Sequence, residues 1–206
     1  STPYPTLFPY TTLFRSDELM LLDGIEQPMA EDYIRKAAID FCTKTQIIRR
    51  KLDIELIACA DEYLMDLEDC DRVVSIQEAC GYEVLGKEPC AMPVCSGHYI
   101  WYVSPNSLKV SPTPVESGNK LRVVVSVAPT QDCCELDAVL YQNYREAIID
   151  KALSMLYRIK QARWFDLNLA TIHEKDYKQA IVQAGADRLL GVRRGKIRLR
   201  SGGIYG

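Results

Sequence analysis

The apolar residues of this chain change period twice, and the order of those changes restricts the fold more than any single motif does. Tyr33, Ala37, Ala38, Phe41 and Cys42 recur at three- and four-residue spacing, which marks a helix with one apolar face. Pro28 suits a first helical position, so the spacing predicts a helical segment over 28–50, its stripe clearest over 28–44. A short helical turn over 17–23, ended by Gly24, is expected before it. From residue 52 the period falls to two. Leu52, Ile54 and Leu56 alternate, the segments 62–67 and 72–76 follow, and His98 opens an aromatic strand over 98–103. Leu108 and Val110 flank Lys109, and Leu121 to Val127 is the strongest strand candidate. Pro129 closes it, because proline has no ladder donor. Residues 81–97 carry Gly, Pro and Cys without a period and read as a loop.

The helical period then returns. Leu136, Val139, Leu140, Tyr144, Ala147 and Ile148 begin one broad apolar face that continues to Ile159, predicting a helix over 134–160. Asp166 stands where an N-cap is needed. Leu169, Ala170, His173, Tyr177, Ala180, Ile181 and Ala184 form the stripe of a last helix that fades near Leu190. The expected fold is α+β. One N-terminal and two C-terminal helices form a helical bundle, with an antiparallel β block of about five strands inserted over 52–129. Residues 17–190 are expected as a single domain, with helices over 28–50 and 134–190, and residues 191–206 as a flexible basic C-terminal arm.

Composition excludes only broad classes. Hydrophobic residues make up 48% and charged residues 26% of the 206 positions, enough apolar side chain for a packed core and against global disorder. No eighteen-residue apolar run exists, which excludes a membrane-spanning helix. Residues 1–16 stand apart. Thr6 to Ser16 read TLFPYTTLFRS, which resembles the in-frame translation of a common short-read sequencing adapter, so 1–16 is set aside from the fold as an artefact. Charge is unevenly placed: residues 17–86 hold seventeen acidic and seven basic side chains, a net of −10, whereas 187–206 hold one and six, a net of +5. Ends of opposite sign suit a protein that meets copies of itself or a charged partner. A solvated acidic face with a frayed basic tail accounts for them as well.

Motifs for chemistry are missing. There is no GxGxxG, no GxxxxGK[ST], no HExxH and no GxSxG. The eight cysteines (Cys42, Cys59, Cys70, Cys80, Cys90, Cys95, Cys133 and Cys134) include no CxxC pair. All eight are expected as thiols, with Cys42 and Cys59 as small core residues. Cys90, Cys95 and His98 are the nearest approach to a metal set, and a metalloenzyme built on them is the least favoured reading. His173 falls on the apolar side of the last helix, where a hydrogen-bonded core or interface histidine is expected. The acidic pairs Asp61-Glu62 and Glu68-Asp69 sit in charge-rich turns and read as a solvated edge rather than as paired catalytic carboxylates. Tyr99, Trp101 and Tyr102 lack interleaved Lys or Arg and read as sheet packing rather than base stacking. No cofactor or metal is expected.

From residue 17 onward the chain resembles the adaptor proteins of tailed bacteriophages, the head-to-tail connectors of the virion neck. The R-x-A-A-x-x-F-C-x-x-T core of that family appears as Arg35, Ala37, Ala38, Phe41, Cys42 and Thr45. An extended Tyr63-Leu64-Met65-Asp66-Leu67 step and the strand Val73-Val74-Ser75-Ile76 follow. Leu108, Val110, Pro112 and Pro114 match L-x-V-x-P-x-P, and Leu121 to Thr130 match L-R-V-x-V-x-x-x-P-[ST]. Leu140, Tyr144, Ala147 and Ile148 come next, then Trp164 and Asp166 at a helix start. Ala170, His173, Tyr177, Ala180 and Ile181 close the pattern. The order and spacing of these motifs carry the resemblance. Ile159 to Arg163 (IKQAR) and Leu167 depart from it in the loop before the last helix.

The resemblance implies a structural virion protein, assembled in the host cytoplasm, with no catalytic residue. It implies a homo-oligomeric ring of about twelve subunits that docks under the portal, meets a downstream tail or neck protein and lines the channel for DNA, with no membrane. The arm is often the portal-binding element in that family. The candidate partner-binding residues, toward portal or neighbouring subunit, are Arg188, Arg193, Arg194, Lys196, Arg198, Arg200, Ile204 and Tyr205. A nucleic-acid-binding accessory protein acting through the same basic arm is the alternative.

Overall fold

A computed structural model describes residues 22, 24–68, 70–86, 97–103, 105–133 and 136–190. The expected turn over 17–23 therefore falls almost entirely outside the described residues, as does the arm over 191–206. The described chain is a mixed α+β protein with three helices and two sheets. Its elements run α1 (Gln27–Thr45), β1 (Arg49–Glu55), β2 (Glu62–Leu64), β3 (Asp71–Ala79), β4 (Glu83–Leu85), β5 (Tyr99–Val103), β6 (Ser107–Ser111), β7 (Lys120–Pro129), α2 (Ala138–Leu156) and α3 (Leu167–Leu190).

The first sheet has the order β1-β7-β3, with both pairs antiparallel. β7 lies in the middle, and its residues 121, 123, 125 and 127 are all buried. That is what the Leu121–Val127 run requires: a strand paired on both edges and packed on its faces presents near-continuous β-branched residues. β3 reaches β7 through two irregularities, between Val73 and Ser75 and between Ile76 and Glu78. The second sheet has the order β2-β6-β5-β4. α1 packs on β7 and on α2, and α2 packs on α3. Phe41, Ile100, Leu108, Leu121, Ile148, Leu156 and Tyr177 belong to one buried cluster that joins helices and both sheets.

Several expectations need correction. Helix α1 stops at Thr45, not at 50. Gln46 takes left-handed backbone angles (φ 53°, ψ 37°), and its N–H closes on Cys42 O at 2.8 Å, ending the helix. Arg49 and Arg50 then pair with Ser126 and Val125, so the β block opens at 49 rather than 52. There are seven strands among the described residues, not about five. They are not all antiparallel, because β4 runs parallel to β5. β4 falls in the stretch read as a loop; three residues are too few to show an alternation. The strand expected over 62–67 shortens to Glu62–Leu64, since Met65 N turns to bond Asn106 O.

Helix α2 spans 138–156 rather than 134–160. Asp137 Oδ1 accepts from Val139 N at 2.9 Å and starts it, a cap more local than apolar spacing can report. Tyr144 breaks helical geometry within it (φ −133°, ψ 18°). Cys42 is buried, as its neighbours predict, but Cys59 is exposed at a turn with φ 63°. Asp166 does cap α3, accepting from Asn168 N at 2.8 Å and Leu169 N at 3.1 Å.

The completely buried Ile148 sits where α2 meets this core. Ile148→Ala is expected to cost about 2–5 kcal/mol, because a cavity is added to the lost transfer energy. Val182→Ala on the solvent side of α3 is expected to stay within about 0.5 kcal/mol. Urea unfolding midpoints of the two variants check the contrast.

Candidate assembly surfaces

The helices meet through charge as well as through apolar contact. Asp40 on α1, Lys151 and Ser154 on α2, and Glu174 and Tyr177 on α3 form a polar seam. Lys151 Nζ lies 3.0 Å from Glu174 Oε2 and 4.0 Å from Asp40 Oδ2. Tyr177 donates its hydroxyl to Asp40 Oδ2 at 2.8 Å, and Lys44 Nζ reaches the same oxygen at 2.7 Å. The ammonium of Lys151 stands 5.1 Å from the centre of the Tyr177 ring. Ser154 Oγ donates to Glu174 Oε2 at 3.1 Å. Burial pushes the Glu174 carboxyl up, but Lys151, Ser154 and Arg158 outweigh it and hold the group below its ordinary value. Burial, and then the bond to Asp40, push the Tyr177 hydroxyl well above 10.0. Each charged group is met by another helix, so the seam sets which turn of α3 lies against which turn of α2.

His173 lies beside this seam. Its Nδ1 is 2.9 Å from Asp150 Oδ1, and its ring stacks on Tyr157 at 5.6 Å with 9° between planes. Burial raises the Asp150 carboxyl, and His173 partly offsets that. A carboxylate orienting an imidazole is the beginning of a catalytic arrangement. Here the contacts of the imidazole are this carboxylate and the Tyr157 ring, and the hydroxyl of Ser154, on the same helix as Asp150, is bonded to Glu174 and Lys151 O. His173 is thus the hydrogen-bonded interface histidine that its position on the stripe predicts.

A second clamp ties helix to sheet. Arg50 on β1 gives Nε to Asp71 Oδ2 at 2.9 Å and Nη2 to Asp137 Oδ2 at 3.0 Å. One arginine therefore spans β1, β3 and the capping residue of α2, in the forked geometry that guanidinium favours. Burial lowers the affinity of Arg50 for its proton, and the two carboxylates more than restore it.

Of the sequence-predicted partner residues, the structure describes one. Arg188 lies on α3, where Nη1 donates to Gln46 Oε1 at 2.8 Å. It belongs to the folded part, joined to the residue that ends α1, rather than to a free arm. Arg193, Arg194, Lys196, Arg198, Arg200, Ile204 and Tyr205 lie outside the described residues, as do Cys90, Cys95 and Cys134. His98 meets the edge of the Tyr82 ring at 5.3 Å. Among the described residues no group of three or more His, Cys, Asp or Glu side chains could hold a metal ion, and no helix is long and apolar enough to cross a membrane. Asp61 and Glu62 are exposed; Glu62 lies 3.9 Å from Lys109. Tyr99 and Trp101 are buried in the second sheet, as expected from their setting.

Three open features stand out among the described residues. Phe165, Leu169 and Ile172 leave an exposed apolar strip at the start of α3, although spacing puts Leu169 on the apolar stripe of the helix. A groove of about 590 Å³ lies at the bend of α2, between Tyr141, Tyr144 and Arg145 on one side and Gln183 and Asp187 on the other. Another of about 460 Å³ runs along β1 toward Leu64 and Asp66. Apolar period could not find these, because it reports which residues are apolar and not which copies of that surface stay uncovered.

The raised Tyr177 value carries a pH dependence. The folded state holds this proton more tightly than the unfolded chain. The stabilisation is therefore complete below about pH 10 and is lost as pH rises beyond it. Thermal unfolding followed from about pH 8 to about pH 11 should show Tyr177→Phe less stable at the lower value and less steeply pH-dependent above it. Equal slopes for the two proteins would refute the assignment.

A scan against protein-family models finds no match to this chain, and a search of curated proteins finds none either.

Proposed function

We propose that this chain is a structural subunit of a tailed-bacteriophage virion, a head-to-tail connector that forms a ring under the portal and joins capsid to tail around the DNA channel. The observation that carries the reading is where the family-like motif residues fall. Ala37, Ala38, Phe41 and Cys42 of the first motif are buried. So are Leu121, Val123, Val125, Leu140, Ala147, Ile148 and Tyr177 of the second, and both sets meet in one core. A motif that serves as scaffold, rather than lining a cleft, suits a protein whose work is done by surfaces. On this reading the three helices act as a bundle that builds the ring, the β block is an insertion facing tail components or neighbouring copies, and residues 191–206 are the arm that reaches the portal. The exposed Phe165, Leu169 and Ile172 strip fits a contact between copies.

The test is assembly. The full chain mixed with its cognate portal should co-sediment with it, and electron microscopy should show a ring on the portal's tail-facing side. Deleting 191–206, which leaves Arg188 and α3 in place, should abolish or strongly weaken that binding. Undiminished binding would remove the arm from the interface.

The net +5 of residues 187–206 favours a second reading, a nucleic-acid-binding accessory protein. That reading requires DNA affinity that falls steeply with added salt. A gel-shift series at low and moderate salt decides it, and no shift at low salt dismisses it.

A further inference from the structure

β1 is an edge strand, and the groove beside it follows the edge. Five consecutive residues, Lys51 to Glu55, line that groove. Successive side chains point to opposite faces of a strand, so a run of five neighbours can line one groove only if it lies along the strand's margin. β1 pairs with β7 alone. No backbone hydrogen bond leads from 49–55 to any other segment among the described residues. The far wall comes from the β2 region, Tyr63, Leu64 and Asp66, and β2 is itself the outer strand of its sheet. Such an edge is a template for one more strand.

The groove also has a chemical preference. Asp53, Glu55 and Asp66 face one lysine, Lys51. Asp53 is already paired with Arg122 at 2.9 Å, whereas Glu55 and Asp66 have no ion-pair partner among the described residues. Leu52 and Ile54 are half-buried, and Leu64 is 74% exposed. The fitting occupant is a strand that alternates basic and apolar side chains. Residues 196–200 of this chain read Lys-Ile-Arg-Leu-Arg, basic and apolar in strict alternation, the counterpart of Leu-Asp-Ile-Glu over 52–55.

Which copy supplies the strand follows from reach. Arg188 is bonded to Gln46, three residues before β1 begins. An arm leaving α3 there starts at the Arg49 end of the strand. Both pairs of the first sheet are antiparallel, and to join it antiparallel the arm must enter from the Glu55 end. That end is about 20 Å further on, so the six steps from Leu190 to Lys196, about 20 Å when fully extended, would be used up in reaching it and leave no residue to reverse the chain. A second copy has no such limit. We propose that residues 196–200 of one copy add as an antiparallel strand to the β1 edge of the next. The contact is head-to-tail, the kind that builds a ring when its rotation closes. It rests on the reading of this chain as a self-assembling subunit and names the surface through which copies join.

The experiment uses the full chain at low salt, with light scattering over rising concentration and hydrogen–deuterium exchange of 49–55. The expected result is a mass that grows with concentration and β1 amides that become protected in step. Leu199→Pro removes a donor from the incoming strand and leaves every described residue unchanged, and should hold the chain at monomer mass. The doubly reversed Glu55→Lys, Asp66→Lys chain should do the same. Mixed together, the first variant offers an intact edge and the second an intact arm, so they should form a dimer and nothing larger. The proposal is overturned if the unaltered chain stays monomeric at every concentration, or if Leu199→Pro associates as the unaltered chain does. Protection of β1 that is independent of concentration and lost in Leu199→Pro overturns it too, placing the arm on its own copy. Association without portal binding sinks the connector reading alone, and portal binding without association sinks this one alone.

Discussion

β7 has hydrogen-bonding partners on both edges and a helix against it, so the arrangement of the rest depends on where it lies. β1 pairs along one side and β3 along the other, and α1 lies across it. Such a strand can offer little to water, which is why residues 123–128 are apolar with one polar interruption, Ser126, while Arg122 nearer its start is exposed and paired with Asp53. Even that side chain is satisfied, sharing a 2.8 Å bond with Ser75 on β3. A buried hydroxyl left alone would cost more than the sheet could easily offset. The partner across the strand pair removes the problem.

The helices are placed by a different interaction. Apolar packing alone would let α3 slide against α2, because one leucine-sized contact resembles the next. The seam of Asp40, Lys151, Glu174 and Tyr177 removes that freedom, since each group must find an opposite charge or a hydroxyl within hydrogen-bonding distance. Arg50 does the same between sheet and helix by gripping Asp71 and the capping Asp137. These contacts join segments up to 137 residues apart in sequence, as in Tyr177 with Asp40. They give a rigid body with its polar groups turned inward at the helix seam. Among the described residues, the start of α3, the bend of α2 and the margin of β1 stay open on this frame.

Legibility followed the length of each periodic signal. Helices α1 and α3 and strand β7 were readable because each carries at least four apolar residues in one period. The Asp166 cap was readable because it is local: a side chain bonding its own backbone two and three residues on. β4 was not, since three residues among glycines and cysteines show no alternation. Cys59 has apolar neighbours in sequence, yet it stands exposed at a left-handed turn that those neighbours do not encode. Arg50 was not legible, as one of three consecutive basic residues, Arg49 to Lys51, has no signature of its own until its two carboxylates are known. Of the candidate partner residues only Arg188 is among the described residues, and its bond to Gln46 ties it to the scaffold.

The sequence by itself determined the class and order of elements: helix, β block, two helices, with Leu121 to Val127 as the strongest strand and His173 on the apolar side of the last helix. Backbone period and local capping are properties of neighbours along the chain, so they survive without a three-dimensional frame. The tertiary structure alone decided that β1 is an edge, that β4 runs parallel to β5, and that Asp40, Lys151 and Tyr177 meet. Pairing direction, exposure and ion pairs depend on distances between remote segments, and no linear pattern encodes those until the chain has closed on itself.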